Sequence, residues 1–64
     1  MLLLFTQPGC VQCLISKRKL EEKQLEYREI DISQSSENMD LAIQYGVRTG
    51  GTIINDETGE TVRL

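Results

Sequence analysis

The 64-residue chain contains no histidine. A cysteine–histidine nucleophile pair therefore cannot be assembled, and there is no imidazole to ligate zinc. Long apolar runs are missing as well. The longest, Met1–Phe5, falls far short of the ~20 residues that span a bilayer, so no membrane association is expected. The same stretch has neither the basic leader nor the length of a signal peptide, and the expected compartment is the cytoplasm. A basic excess is also lacking. Ten acidic against seven basic residues give a formal charge of −3, whereas nucleic acid and anionic membranes call for a basic patch; nucleic acid is not an expected partner. The one basic cluster, Lys17-Arg18-Lys19, is followed closely by Glu21-Glu22 and has the character of a solvated helix face. Repeats, low-complexity segments and linkers are absent, so a single domain over 1–64 is expected. A chain of this length buries only ~60% of its unfolded surface, which makes for a small core.

What is present is a pair of cysteines, the only two in the chain, in Gln7-Pro8-Gly9-Cys10-Val11-Gln12-Cys13. The segment ends an apolar run and opens a helical one. Two intervening residues put the thiols about one helical turn apart, within reach of a disulfide. Cys10 is expected at or just before the first turn, where unpaired N–H groups point outward and the helix dipole favours an anion. Thiolate is the reactive form of cysteine, and such positions bring its pKa from ~8.5 into a range of roughly 3.5–7.5. Cys13, one turn in, is the more sheltered thiol. In a reducing compartment two such cysteines are more often catalytic or metal-binding than a structural staple. As a redox pair, Cys10 attacks a substrate disulfide and Cys13 resolves the mixed disulfide. The plainer alternative, two small buried hydrophobes, sits poorly with the spacing.

Along the chain, Leu2–Thr6 is continuously apolar, as suits a central strand covered on both faces. Residues Val11–Gln24 are rich in helix formers and free of proline and glycine, with Leu14, Ile15 and Leu20 expected to supply the buried contacts. Leu25–Ile32 is expected as a second strand, and its interleaved Arg28, Glu29 and Asp31 mean that one face is wet or that it lies at an edge. Ser33-Gln34-Ser35-Ser36 offers N-caps for a helix over Glu37–Tyr45 that turns Met39, Ala42 and Ile43 inward and ends at Gly46. After Thr49-Gly50-Gly51 come a short strand, Thr52–Asn55, a turn at Asp56–Gly59 and a closing strand, Glu60–Leu64. The order β-α-β-α-β-β gives an α/β fold class.

In this order the chain resembles the thioredoxin superfamily, and most of all the glutaredoxins and the glutaredoxin-like redoxins that serve ribonucleotide reductase. The likeness is carried by Thr6-Gln7-Pro8-Gly9-Cys10-Val11-Gln12-Cys13, Lys17-Arg18, Leu20, Lys23-Gln24-Leu25-Glu26-Tyr27, Glu29-Ile30-Asp31-Ile32 and Tyr45-Gly46-Val47-Arg48-Thr49 followed by Thr52. It implies a minimal thioredoxin/glutaredoxin-like fold. The four-stranded mixed sheet has order 2-1-3-4, the first two strands parallel and the last two antiparallel to them, with helices on both faces. It also implies a dithiol–disulfide oxidoreductase with Cys10 and Cys13 catalytic and no cofactor. The expected partners are a disulfide-containing protein or small molecule and a reductant, either thioredoxin reductase or glutathione. Substrate contacts are expected from Thr6, Gln7, Pro8, Gly9, Val11 and Gln12 beside the thiols and from Arg48, Thr49, Gly50 and Gly51 in the facing loop.

Three departures from the family pattern stand out. Gly51 occupies the family's cis-proline slot, and because a non-proline cis bond costs ~2.5–4 kcal/mol, a trans peptide is expected there. Gln7 replaces a lysine that meets a glutathione carboxylate, and the turn completing the glutathione site has no counterpart. The family's C-terminal helix is also absent, so apolar surface on the third and fourth strands is expected to be open to self-association. Two rival readings keep the fold and change the role. One is a thiolate module for copper, zinc or an iron–sulfur cluster. Small copper carriers share the C-x-x-C placement, but two strands follow their first helix. The other is a non-catalytic protein-binding module.

Overall fold

The computed structural model describes residues 1–64. Six elements follow one another: β1 (Leu2–Thr6), α1 (Val11–Glu22), β2 (Tyr27–Asp31), α2 (Ser36–Gln44), β3 (Thr52–Asn55) and β4 (Glu60–Val62). They build one four-stranded sheet in the order β2-β1-β3-β4. Strand β1 pairs in parallel with β2, Leu2 opposite Tyr27 and Thr6 opposite Asp31. On its other side it runs antiparallel to β3, with Leu3 opposite Ile54 and Leu4 opposite Ile53. Strands β3 and β4 form an antiparallel hairpin. One part of the expected topology is thereby corrected: only β3 opposes β1 and β2, because the tight turn after Asn55 sends β4 back along their direction.

The continuous apolarity of β1 has the expected cause. Leu3, Phe5, Ile30 and Ile54 pack with Ala42 and Val47 on one face, while Leu4 and Ile53 pack with Leu20 on the other. Leu4, Phe5, Leu20 and Ile54 are the most deeply buried large side chains. Replacing Leu20 with alanine is expected to cost about 2–5 kcal/mol through lost transfer energy and a residual cavity. That is a large share of the ~5–15 kcal/mol that holds a typical small protein, and it should lower the urea midpoint sharply. Leu14→Ala, at a side chain 68% exposed, should stay within about 0.5 kcal/mol.

Helix α1 stops two residues before the expected end. Gln24 takes a left-handed φ of 55°, the Leu25 N–H reaches the Leu20 carbonyl at 3.0 Å, and the Gln24 N–H reaches the Glu21 carbonyl at 3.1 Å. This pair of bonds closes a helix C-terminus, usually around glycine; with glutamine in that place the stop carries no compositional signal. Helix α2 ends in the same way at Gly46 (φ 74°), as expected. It begins at Ser36, with the Ser35 hydroxyl accepting the Asn38 N–H. Strand β2 is shorter than expected, and so is β4.

Two packing expectations are also corrected. Leu14 and Ile15 (42% exposed) face outward, and α1 meets the sheet through Cys13 and Leu20. In α2, Met39 and Ile43 are exposed; Ala42 is buried, and Leu41 and the following Tyr45 pack at the edge of the core. The third and fourth strands likewise do not present the open apolar face anticipated for them. Ile53 and Ile54 are buried, and Val62 and Leu64 pack around Leu4, Leu20 and Ile53. Lys19 Nζ donates to the Leu64 carbonyl at 3.3 Å, which draws the C-terminal residues over this face. The exposed large apolar side chains lie mainly on the helices, at Val11, Leu14, Ile15, Met39 and Ile43.

Candidate active site

The turn Gln7–Gly9 carries the chain from the end of β1 into α1 and places Cys10 as the N-cap, in extended conformation (φ −92°, ψ 110°). Gly9 makes the turn with a φ of 70°. The first helical N–H groups lack intrahelical acceptors, and Cys10 Sγ fills one of these vacancies, accepting the Cys13 N–H at 3.0 Å. Cys10 and Cys13 are joined as a disulfide with a Cα–Cα separation of 5.3 Å. The two sulfurs differ in surroundings. Cys10 is half-buried at the rim, whereas Cys13 is only 6% exposed, with its Sγ 3.8 Å from the Phe5 carbonyl oxygen, an acceptor for the thiol proton once the bond is reduced.

The segment before β3 lies against this pair. A Cβ placed on Gly50 would be 2.7 Å from Cys13 Sγ and 2.8 Å from Cys10 Sγ, so only glycine allows the backbone this close. Gly51 follows with a φ of 88° and no cis peptide bond, in line with the expected trans peptide. Its N–H donates to the Phe5 carbonyl at 2.7 Å, and its carbonyl accepts the Ser16 hydroxyl at 2.7 Å.

On the other side of the disulfide a cleft of about 390 Å³ opens, lined by Thr6, Gln7, Pro8, Gly9, Cys10, Val11, Cys13, Leu14, Lys17, Glu29 and Asp31. Thr6, Gln7, Pro8, Gly9 and Val11 were all expected at the site and line it. Gln12 lies outside the cleft but against the loop, since a Cβ on Gly51 would meet its side chain and backbone at 2.9–3.0 Å. Gly50 and Gly51 touch the thiol region from that loop side. Arg48 and Thr49 are exposed and line no part of the cleft; the Thr49 carbonyl accepts the Thr52 hydroxyl.

The polar wall of the cleft and Ser16 are what sequence reasoning missed. Lys17 Nζ pairs with Glu29 across the helix–strand gap at 3.0 Å. The hydrogen bond and charge of Glu29 raise the Lys17 pKa above its ordinary value. Asp31 accepts both the Ser33 hydroxyl and the Ser33 N–H, which hold its carboxyl below the usual range. A lowered folded-state pKa adds stability at neutral pH that is lost as pH falls through it. Strand β2 shows Glu29 and Asp31 as ordinary edge charges; only a polar residue on the inward stripe Cys13–Ser16–Leu20 could have drawn attention to Ser16.

Chemically, two sulfurs held this close exchange between dithiol and disulfide with transfer of two electrons. No cluster of three or more His, Cys, Asp or Glu side chains forms, so a four-thiolate site would need a second chain. No helix is long and apolar enough to cross a membrane.

Comparison with known proteins adds a consistent set of matches. The family model described as Glutaredoxin matches residues 2–52. The "Glutaredoxin-like protein NrdH" of Lactococcus lactis subsp. cremoris is 28% identical over 57 residues, which cover 89% of this chain and 79% of that protein. Among solved structures, the thioredoxin-like protein BC3987 superposes with a TM-score of 0.84 at 28% identity, covering 100% of this chain and 86% of that one. A point mutant of the same protein also gives 0.84, at 26% identity and with 85% of its chain covered.

Proposed function

The chain belongs to the glutaredoxin family and is a thiol–disulfide redoxin, and from that premise we propose that it reduces disulfides with Cys10 as nucleophile and Cys13 as resolving thiol. In the reduced protein the Cys10 thiolate attacks one sulfur of a substrate disulfide. A mixed disulfide forms, and the first substrate sulfur leaves as a thiolate that takes up a proton. The Cys13 thiolate then attacks Cys10 Sγ, the Cys10–Cys13 bond forms, and the second substrate thiolate leaves. Two electrons pass to the substrate, and a reductant restores the dithiol.

The observation that carries this reading is the asymmetry of the pair. Cys10 Sγ sits at the helix N-cap beside a cleft, where the Cys13 N–H and the dipole favour its anion. Cys13 lines the same cleft but is only 6% exposed, so the half-buried Cys10 is the sulfur a substrate meets first. The cleft and the Gly50 backbone flank the attacking sulfur, and Thr6, Gln7, Pro8, Gly9, Val11, Gln12, Gly50 and Gly51 are proposed to hold the substrate. Arg48 and Thr49, exposed beside them, would meet only a substrate larger than the cleft.

A protein disulfide is the proposed substrate class, and ribonucleotide reductase, served by the redoxins this chain resembles, is the first enzyme to test. Gln7 stands where a lysine would meet a glutathione carboxylate, so the proposed reductant is a thioredoxin reductase. The test supplies the purified protein with NADPH and thioredoxin reductase, or with glutathione and its reductase, and follows insulin reduction. Turnover is expected with the first system and little with the second. Turnover with neither sinks the reading, and turnover with glutathione alone sinks the assignment of the reductant.

A further inference from the structure

Consecutive glycines at 50 and 51 give the segment facing the thiols more conformational freedom than any other pair of residues. Its position is nonetheless closely set, because the Gly50 backbone rests on both sulfurs. Beyond the Thr52 hydroxyl bond to Thr49 within the loop itself, two bonds tie it to β1 and α1. The Gly51 N–H donates to the Phe5 carbonyl at 2.7 Å, and any residue but proline could make that bond. The Ser16 hydroxyl donates to the Gly51 carbonyl at 2.7 Å, and that bond depends on one side chain. Ser16 lies three residues after Cys13 and four before Leu20, both buried, and so occupies the inward face of α1. An apolar residue is the ordinary occupant of such a face. The partly buried hydroxyl there has the loop as its partner.

We propose that Ser16 is a positioning residue for disulfide exchange. By holding the Gly51 carbonyl against α1, it keeps the Gly50 backbone seated on the Cys10–Cys13 pair. The inference rests on the dithiol reading given above. Gly50 is buried against both sulfurs, and the loop so held walls the disulfide on the side away from the cleft. A protein chain whose disulfide reaches Cys10 Sγ has to lie against that wall, where a small disulfide does not. A protein disulfide needs that wall in place, whereas a small disulfide needs only access to Cys10 Sγ. Ser16 therefore acts on protein substrates and is indifferent to small ones.

The test compares Ser16→Ala and Ser16→Thr with the unchanged protein on insulin and on hydroxyethyl disulfide, with one reductant throughout. Loss of one hydrogen bond is expected to raise the KM for insulin about three- to tenfold in Ser16→Ala, with kcat/KM for hydroxyethyl disulfide held within about twofold. Ser16→Thr, which keeps the hydroxyl, should restore the insulin KM. In Ser16→Ala the Gly51 amide should also exchange with solvent faster. An unchanged insulin KM, an equal loss on both substrates, or a folded threonine variant that fails to rescue would each overturn the proposal. Amide exchange reads the Ser16–Gly51 contact without any turnover, so a failure of the dithiol chemistry itself would be seen separately.

Discussion

Replacing Cys10 with serine is expected to reduce insulin turnover to the background of the reductant alone. Serine's hydroxyl does not ionise near neutral pH and cannot form a disulfide, so the first exchange has no attacking atom. The position itself should tolerate the change: serine is a good N-cap, and its oxygen can accept the Cys13 N–H that Cys10 Sγ now accepts at 3.0 Å. A folded, inactive variant is therefore expected, as judged by an unshifted urea midpoint against the reduced protein. Cys13→Ser should behave differently. Its Cys10 still attacks, but the resolving sulfur is gone, so one substrate chain stays bound to each molecule. Non-reducing gel electrophoresis should show that adduct, and a reducing agent should release it. Full activity in Cys10→Ser would reverse the roles of the two thiols or remove the dithiol mechanism altogether.

Putting proline at position 51, the slot the family resemblance assigns to a cis-proline, is expected to destabilise this protein. Proline holds φ near −65° and has no N–H. Gly51 has a φ of 88°, and its N–H donates to the Phe5 carbonyl at 2.7 Å. Gly51→Pro would have to turn the backbone by a large angle, orphan that carbonyl and press new atoms toward Gln12, which already leaves no room for a Cβ. A cost of about 3 kcal/mol is the expected scale, from backbone strain and the orphaned carbonyl together. At 4–8 °C per kcal/mol for a chain of this size, the melting temperature should fall by roughly 12–24 °C. Calorimetry on the oxidised protein checks this, and an unchanged or raised melting temperature would show that neither the left-handed conformation at Gly51 nor its bond to Phe5 holds the loop.

Both results bear on how the glycine loop departs from its family. The first depends only on the thiol pair, which the chain keeps. The second depends on how the loop is held, through glycine conformations and the contact with Ser16. Retained attack chemistry beside an altered loop suits a change in which substrates are held, with the exchange step itself preserved.

Much of this was legible along the chain. The apolar run Leu2–Thr6, the turn Pro8-Gly9, the caps before α2, Gly46 and the Asp56–Gly59 turn each carry a local physical signal, and together they give the order and kind of all six elements. Cys10 and Cys13 were legible for the same reason: a spacing of three and a helix start are local facts. Other features had no such signal. Gln24 ends α1 in a left-handed conformation that composition does not announce. Leu14 and Ile15 are apolar and helical, yet α1 meets the sheet along the narrow stripe of Cys13, Ser16 and Leu20 and leaves them outside.

The sequence by itself determined the redox pair, its place at the start of a helix and the strand–helix order, because backbone propensity, capping and thiol spacing act over a few residues. Tertiary structure alone decided that Gly50 would rest on both sulfurs, that Ser16 would hold Gly51 from 35 residues away, and that Lys17 would meet Glu29 across the cleft. Those contacts join residues far apart in the chain, and their existence depends on the register and packing of elements around β1, which no local pattern encodes.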